Sequence, residues 1–457
     1  MKEDTGMATP SGASHCTRRG FLRAIGRAGA AGLLAGSVPT RVGATADFNW
    51  RKHAGTTLRF LGWNDLWSMT MDKKVPEFEK LTGIKLHWEH LPQEPNRQKA
   101  QTELTAKNKD LDLLWVAPHV EGVKYLRAGW LVPLDEYLSN ASLVPPDFDV
   151  TDFAPGFWQT CRIDGKQVTM PTLVEVACLI YRKDLLEAKG VKVPTTLEEL
   201  EAAAAKLHEP PGVYGIVNRG TVAQAPVTWS SYLYNFGGSY LDRERKCAID
   251  RSEALQATEY YGRLHRQYGP PGMTSLNWPE ASSVFAQGRA AVETDTNGFR
   301  NIFDDPQKSK VVGKVGYAFF PRGPAGNTPG VWTAGPSIST YSEKKEAAWY
   351  FIIWALNGPS QLYTHLSGVA ASRRSAWQSP AYREKEKDPA WAEVTLKTME
   401  MSSRGYSPEV VAVGEVRNRV GEVIVKALEG LTGDRLKAEA DKACKDIQRI
   451  MARTEKT

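Results

Sequence analysis

The residues of this chain that could do chemistry stand singly or in small groups where apolar runs end. Trp63, Asn64, Asp65 and Trp67 follow the run 57–62, His119 follows DLLWVA, Arg219 follows YGIVN, Asp295 follows AAVET, and Trp332 stands in PGVWTAG. Glu175 lies in the apolar part of MPTLVEVACLIYRKDLL, residues 170–186. Indoles offer flat apolar faces, while carboxylates and guanidinium groups offer two-pronged hydrogen bonds. A sugar or polyol needs both, because it presents C–H patches for stacking and hydroxyls that donate and accept. Each residue has a plainer use: a Trp in a glycine-containing loop packs more often than it binds, and Glu175 can be a salt-bridged carboxylate at a strand end. Their common position is the stronger signal, since crevices at the carboxyl ends of strands are where open α/β sheets bind ligands.

Catalytic motifs are missing. The chain has no G-x-S-x-G elbow, no G-x-x-x-x-G-K-[ST] phosphate loop and no H-E-x-x-H zinc helix. His87 and His90, three apart on a predicted strand, point to opposite faces, so a shared metal is not expected. Gly26, Gly29 and Gly32 imitate a dinucleotide loop, but no strand precedes them. No cofactor and no metal are therefore expected.

The elements that must position the strand-end residues follow from hydrophobic period. Residues 57–62 alternate like a strand and break at Gly62 into a loop over 63–67; Val75, Phe78 and Leu81 mark a helix closed by Gly83, and 84–90 resumes as a strand. Strand, helix, strand is the unit of a parallel α/β sheet. It repeats with a helix over 98–107, a buried strand over 112–117 and a helix over 121–128. Asp164-Gly165 predicts a two-residue hairpin leading into 174–181, whose β-branched and aromatic residues suit a strand covered on both faces. Thr196 and Glu199 fit a capping box that opens a helix ended by Pro210-Pro211. Strands are expected at 213–217, 290–293, 313–320 and 331–338, an aromatic and glycine-rich segment at 232–240, and a helix at 254–268. Two amphipathic helices close the chain, with Val416, Val420, Val423, Ile424, Ala427 and Leu428 on one face of the first and Leu436, Ala440, Ala443, Ile447 and Ile450 on one face of the second. There is no 20- to 50-residue repeat, which disfavours a solenoid or an adhesin-like array.

A length of 457 residues exceeds what one core organises and implies two lobes. Of the net charge of +6, residues 1–46 carry +4, from Lys2, Arg18, Arg19, Arg23, Arg27 and Arg41 against Glu3 and Asp4. The near-balanced remainder gives no electrostatic case for nucleic acid. Thr17-Arg18-Arg19-Gly20-Phe21-Leu22-Arg23, the small-residue stretch over 24–38 and Ala44-Thr45-Ala46 read as a twin-arginine export signal cut after Ala46. Asp47 follows the cut, so no lipid-bearing cysteine is expected there. The longest later apolar stretch, 347–356, is too short to span a bilayer, and the mature protein is expected to be exported and soluble. Cys161, Cys178, Cys247 and Cys444 remain in it, with no spacing that selects a pairing, and are taken as free thiols.

In order along the chain, LTGIKL, DLLWVAPH, RAGWLVPLDEYL, DGKQVTMPTLVEVACLIYRKDLLEAKG with PTTLEEL, NFGGSYLD, FAQGRAAVETD, and PRGPAG leading to PGVWTAG resemble the extracellular solute-binding proteins of ABC importers. The resemblance covers residues 57–452 and lies in the large carbohydrate group that includes maltose-binding protein. DGKQVTMP, NFGGSYLD, Pro270-Pro271-Gly272 and SKVVGKVGYAFFPRGP are more similar to its sorbitol- and mannitol-type binders. The resemblance implies a two-lobed periplasmic-binding-protein fold, each lobe a mainly parallel sheet flanked by helices, with ligand gripped as the lobes close. It divides the chain into a signal peptide at 1–46, an N-lobe of 47–172 and 337–367, and a C-lobe of 173–336 and 368–457. The crossovers would fall at 171–176, 332–335 and 368–373.

By the same resemblance, Glu175 matches a position that touches sugar hydroxyls and His119 a cleft position. Pro226 and Gly298 stand where the maltodextrin binder has stacking aromatics, so a small ligand is implied, stacked on Trp63, Trp229 or Trp332. Arg219 and Arg373 keep acidic sugars open as ligands. The implied function is that of a monomeric periplasmic receptor delivering a small carbohydrate or polyol to the permease subunits of an ABC transporter, without catalysis. An exported carbohydrate-acting or cofactor-dependent enzyme is the alternative, since twin-arginine signals often accompany proteins that fold around cofactors before export.

Overall fold

The computed structural model describes residues 48–402 and 404–455, so the expected export signal at 1–46 lies outside the described residues. Its strands are β1 (Thr57–Trp63), β2 (Lys85–Leu91), β3 (Leu113–Val116), β4 (Arg162–Ile163), β5 (Lys166–Gln167), β6 (Leu173–Arg182), β7 (Tyr214–Val217), β8 (Ala290–Thr296), β9 (Val315–Phe319) and β10 (Val331–Ile338). All but β4 and β5 join one path in the order β2-β1-β3-β10-β6-β8-β7, with β9 also on β6. β1 pairs parallel with β2 and β3, and β7 parallel with β8, with helices in the connections between them. β6 and β10 run antiparallel to their neighbours. β4 and β5 form the expected hairpin, whose turn residues Asp164 and Gly165 have φ of 48° and 76°.

The two antiparallel strands position the site because each changes partner midway. In β10, Val331 to Ala334 pair with β6, and Gly335 to Ile338 pair with β3. In β6, Leu173 to Val176 pair with β10, and Ala177 to Tyr181 pair with β8. The group β2-β1-β3 is thereby joined to the group β8-β9-β7 through one short crossing. Backbones approach closely there: a Cβ on Gly335 would sit 2.2 Å from the Met170 carbonyl oxygen, so only glycine fits. The chain near residue 372 joins the crossing through the Ser372 hydroxyl, which donates to the Pro171 carbonyl at 2.6 Å, and through an isolated bridge between Phe153 and Arg373.

Apolar side chains cover both groups. On one side Phe60 stacks on Trp88 at 4.7 Å and meets Phe351 at 5.5 Å. Phe351 belongs to the helix Lys345–Ala355, buried on every face from Ala347 onward, which is why its sequence is apolar all round without spanning a membrane. On the other, Ile180, Phe285, Phe303, Tyr317, Trp377 and Trp391 share a core. Burying each such side chain contributes about 1.5–3 kcal/mol.

Some expectations are corrected. The loop at 63–67 is cut short, because Asp65 caps a helix Leu66–Asp72 by accepting from the Ser68 backbone at 3.0 Å and the Ser68 hydroxyl at 2.9 Å. The aromatic segment 232–240 begins inside a helix, Ala225–Asn235. Cys247 and Cys444 are not free thiols but form a disulfide tying the segment after Leu241 to the closing helix Gly433–Thr454. Cys161 and Cys178 are free and buried.

Candidate ligand-binding site

A cavity of about 530 Å³ opens beside the β6–β10 crossing. Its floor comes from paired positions: Trp332 lies opposite Glu175 in the β10–β6 register, and Asp295 and Thr296 come from the end of β8. Trp63, Asn64 and Asp65 reach it from the end of β1, and Arg219 from just beyond β7. Carboxyl ends of strands thus converge, which is the arrangement of ligand sites in open α/β sheets.

Two aromatic faces form one wall. The rings of Trp63 and Trp332 stack with centroids 5.8 Å apart and planes at 25°. The Trp63 indole N–H donates to the Asn96 side chain at 3.1 Å, and the Arg97 guanidinium lies 5.2 Å over the Trp63 ring, so the indole is held in place. Arg97 is itself held by Glu121 at 3.1 Å and Glu94 at 2.6 Å.

Polar groups divide into paired and unpaired. Arg219 grips Asp295 with two hydrogen bonds of 2.7 Å and donates a third, of 3.1 Å, to Gln224. Glu175 has no ion pair among the described residues, because the cation acting on it, Arg219, is already taken by Asp295. Burial pushes its carboxyl up to about 7, against the pull of Arg219 and a hydrogen bond from Thr296. Burial likewise raises Asp65 to about 6, opposed by its hydrogen bonds from Ser68. Two carboxyls without an ion pair among the described residues therefore face one cavity with acceptor capacity to spare, as a hydroxylated ligand requires. Two positions before Asp295 on the same strand, Glu293 is fully buried with neither oxygen hydrogen-bonded, and burial followed by the Asp295 charge holds it well above the usual carboxylate range.

Of the residues singled out by sequence, Trp63, Asn64, Asp65, Glu175, Arg219, Asp295 and Trp332 meet at this cavity, and the others do not. Trp67 points into the core against Trp115 and Trp88, because the cap at Asp65 starts a helix that turns it inward. Trp229 is 1% exposed and donates to Thr258 at 3.1 Å; on the same helix Val227 and Thr228 face the cavity, and Trp229 lies a third of a turn farther round. Arg373 is sandwiched over Phe148 and Phe153 and donates to the Leu356 and Asp149 carbonyls at 2.6 Å, a structural brace for its own segment. His119 stands behind the wall, its ring 4.6 Å from Tyr406 and 6.1 Å from Trp332. Burial, with Arg417 and Arg97 nearby, lowers it to about 3, so it is neutral.

Bacterial extracellular solute-binding proteins share a sequence pattern that this chain matches over residues 68–361, more than half its length. The chain belongs to that family. This solute-binding protein is 27% identical over 409 residues to the mannitol-binding protein of Pseudomonas aeruginosa, covering 83% of this chain and 90% of the relative. It is 26% identical over 388 residues to the erythritol/L-threitol-binding protein of Mycolicibacterium smegmatis, covering 78% and 80%. Among solved structures it superposes, with a TM-score of 0.76 and 28% identity, on an ABC transporter solute-binding protein of Agrobacterium radiobacter in complex with ribitol, covering 87% of this chain and 99% of that one.

The solute-binding protein also lines its cavity with residues the sequence reading missed. Pro92, Gln93 and Glu94 follow the end of β2, and the strand-end rule finds them once it is applied to that strand. Phe299 follows the Asn297-Gly298 break after β8. Trp278, Tyr406 and Arg417 follow no strand, and only the folded chain brings them in.

Proposed function

We propose that this protein is the non-catalytic receptor of an ABC importer, capturing a small polyol or sugar in the cavity beside Glu175 and passing it to a membrane permease. One observation carries the reading: Glu175, without an ion pair among the described residues, faces the cavity opposite Trp332, so an acceptor for hydroxyls and a flat apolar surface lie side by side. The relatives reported above support the ligand class, being named for mannitol and for erythritol/L-threitol or solved in complex with ribitol. Two uncompensated carboxyls with raised protonation points are also what a glycoside-cleaving enzyme would use, and that is the second reading. A thermal-shift panel of alditols, aldoses, glycosides and acidic sugars separates them: a shift without turnover supports the receptor, and release of a product supports the enzyme.

The same proposal takes residues 47–172 with 337–367 and residues 173–336 with 368–457 as bodies that close on ligand, hinged at 171–176, 332–335 and 368–373. Support comes from the change of partners midway along β6 and β10 and from the Ser372 bond to Pro171. Export through the twin-arginine route to the periplasm completes it, supported by the Arg18-Arg19 motif and by the Cys247–Cys444 disulfide, which suits an oxidising compartment. Replacing Arg18 and Arg19 with lysine should leave uncleaved precursor in the cytoplasm; unchanged export would refute the route.

A further inference from the structure

The cavity extends beyond its polar floor to a rim of different character. On one side of the rim Trp278 lines the cavity while 42% exposed, the one tryptophan among the described residues to leave so large a fraction uncovered. Exposed indole surface of that extent is uncommon and informative about binding. Trp278 is not loosely attached: it opens the helix Trp278–Ala286, fixed by a capping box between Asn277 and Glu280. One face of its ring stacks on Phe299 at 5.9 Å with planes at 26°. Phe299 is braced in turn by the Arg219 guanidinium at 5.8 Å and by Phe303 at 6.2 Å. The exposed residues Gln93 and Glu94 line the same cavity and offer polar side chains.

We infer that Trp278, backed by Phe299, is a second stacking platform, and that the preferred ligand is a polyol or sugar bearing an additional ring, such as a glycosylated alditol, rather than a free alditol. The inference rests on the polyol or sugar reading of the same cavity and specifies which members of that class fit. One end of the ligand lies on the floor between Glu175 and the Trp63–Trp332 wall. The second ring lays its C–H face on Trp278 and turns its hydroxyls toward Gln93 and Glu94. The volume, about 530 Å³, falls in the range of roughly 300–1,000 Å³ that encloses drug-sized ligands, larger bodies than a free alditol. Pro226 is buried and Gly298 has no side chain, so aromatic contact at the mouth comes from Trp278 and Phe299 instead.

The test is calorimetric titration of the mature protein with a hexitol and with a panel of its mono-glucosides, repeated on Trp278→Ala and Trp278→Phe. At least one glucoside should bind about tenfold or more tightly than the free hexitol. Trp278→Ala should bring the ratio of the two affinities close to one, and Trp278→Phe should keep most of it. The inference is overturned if the hexitol binds and no glucoside binds better, or if Trp278→Ala leaves the ratio unchanged. Failure of every alditol, sugar and glucoside to bind would overturn the polyol reading together with it, so the two failures are distinguishable.

Discussion

Glu175 bears the most weight at the scale of single residues. If its carboxylate accepts ligand hydroxyls, Glu175→Ala should weaken binding about a hundredfold, as expected for loss of hydrogen bonds to a charged group. Measured near pH 5, where little of the cost of burying its charge is present, the melting temperature should barely move, because no ion pair among the described residues is lost; a large drop would return Glu175 to a purely structural role. Its pH behaviour has a definite sign. The folded carboxyl titrates near 7 instead of 4.5, so the folded state holds the extra proton between those values and stability falls as pH rises through that window. The cost is at most about 3 kcal/mol, complete above pH 7, and Glu175→Gln should remove it in chemical denaturation measured across that range. Ligand hydroxyls donating to the ionised form reverse the shift, so affinity should rise from pH 5 to 7 and then level off. Affinity falling over that range would mean that the group binds as a protonated donor. Residues at strand ends, such as Trp63 and Asp295, were legible because a strand fixes where its end points. Trp67 and Trp229 were not, since on a helix a shift of one position turns a side chain by about 100°.

Among the elements, the β6–β10 crossing sets the geometry of the site. Gly335→Ala would drive a Cβ against the Met170 carbonyl, and the strands must part to admit it. The expected loss is about 1–3 kcal/mol of stability with weakened binding, because the same register holds Trp332 opposite Glu175. Full stability and full affinity in the variant would show that the crossing tolerates slack. The Cys247–Cys444 bond closes a loop of sequence separation 197, and its removal by paired Cys→Ala substitution should cost roughly 2–4 kcal/mol, read from denaturant unfolding with and without reductant. The strands and the Asp164-Gly165 hairpin could be read from period and turn chemistry. The disulfide could not, because the two cysteines are distant in sequence and only tertiary packing brings their Cα atoms to 5.2 Å. The helix Ala225–Asn235 was hidden for a related reason: it is buried on nearly every face, so no polar stripe betrays its period.

For the whole molecule, the order of elements and the convergence of strand ends were visible in the sequence, whereas the contributions of Tyr406 and Arg417 to the same cavity were not, since they depend on the return of the chain's last segment. Closure of the two bodies around ligand should shrink the radius of gyration in small-angle scattering when a binding polyol is added; identical curves with and without saturating ligand would contradict the hinge at the crossing. The expectations about binding depend on one claim, that the cavity beside Glu175 binds a polyol or sugar. Calorimetric titration of the purified mature protein with alditols and their glycosides at neutral pH tests it most directly. Saturable one-site binding, micromolar or tighter, is expected, weakened about a hundredfold by Glu175→Ala while the protein stays folded, with ligand recovered unchanged. Absence of heat across the series, or binding that survives Glu175→Ala undiminished, would contradict it.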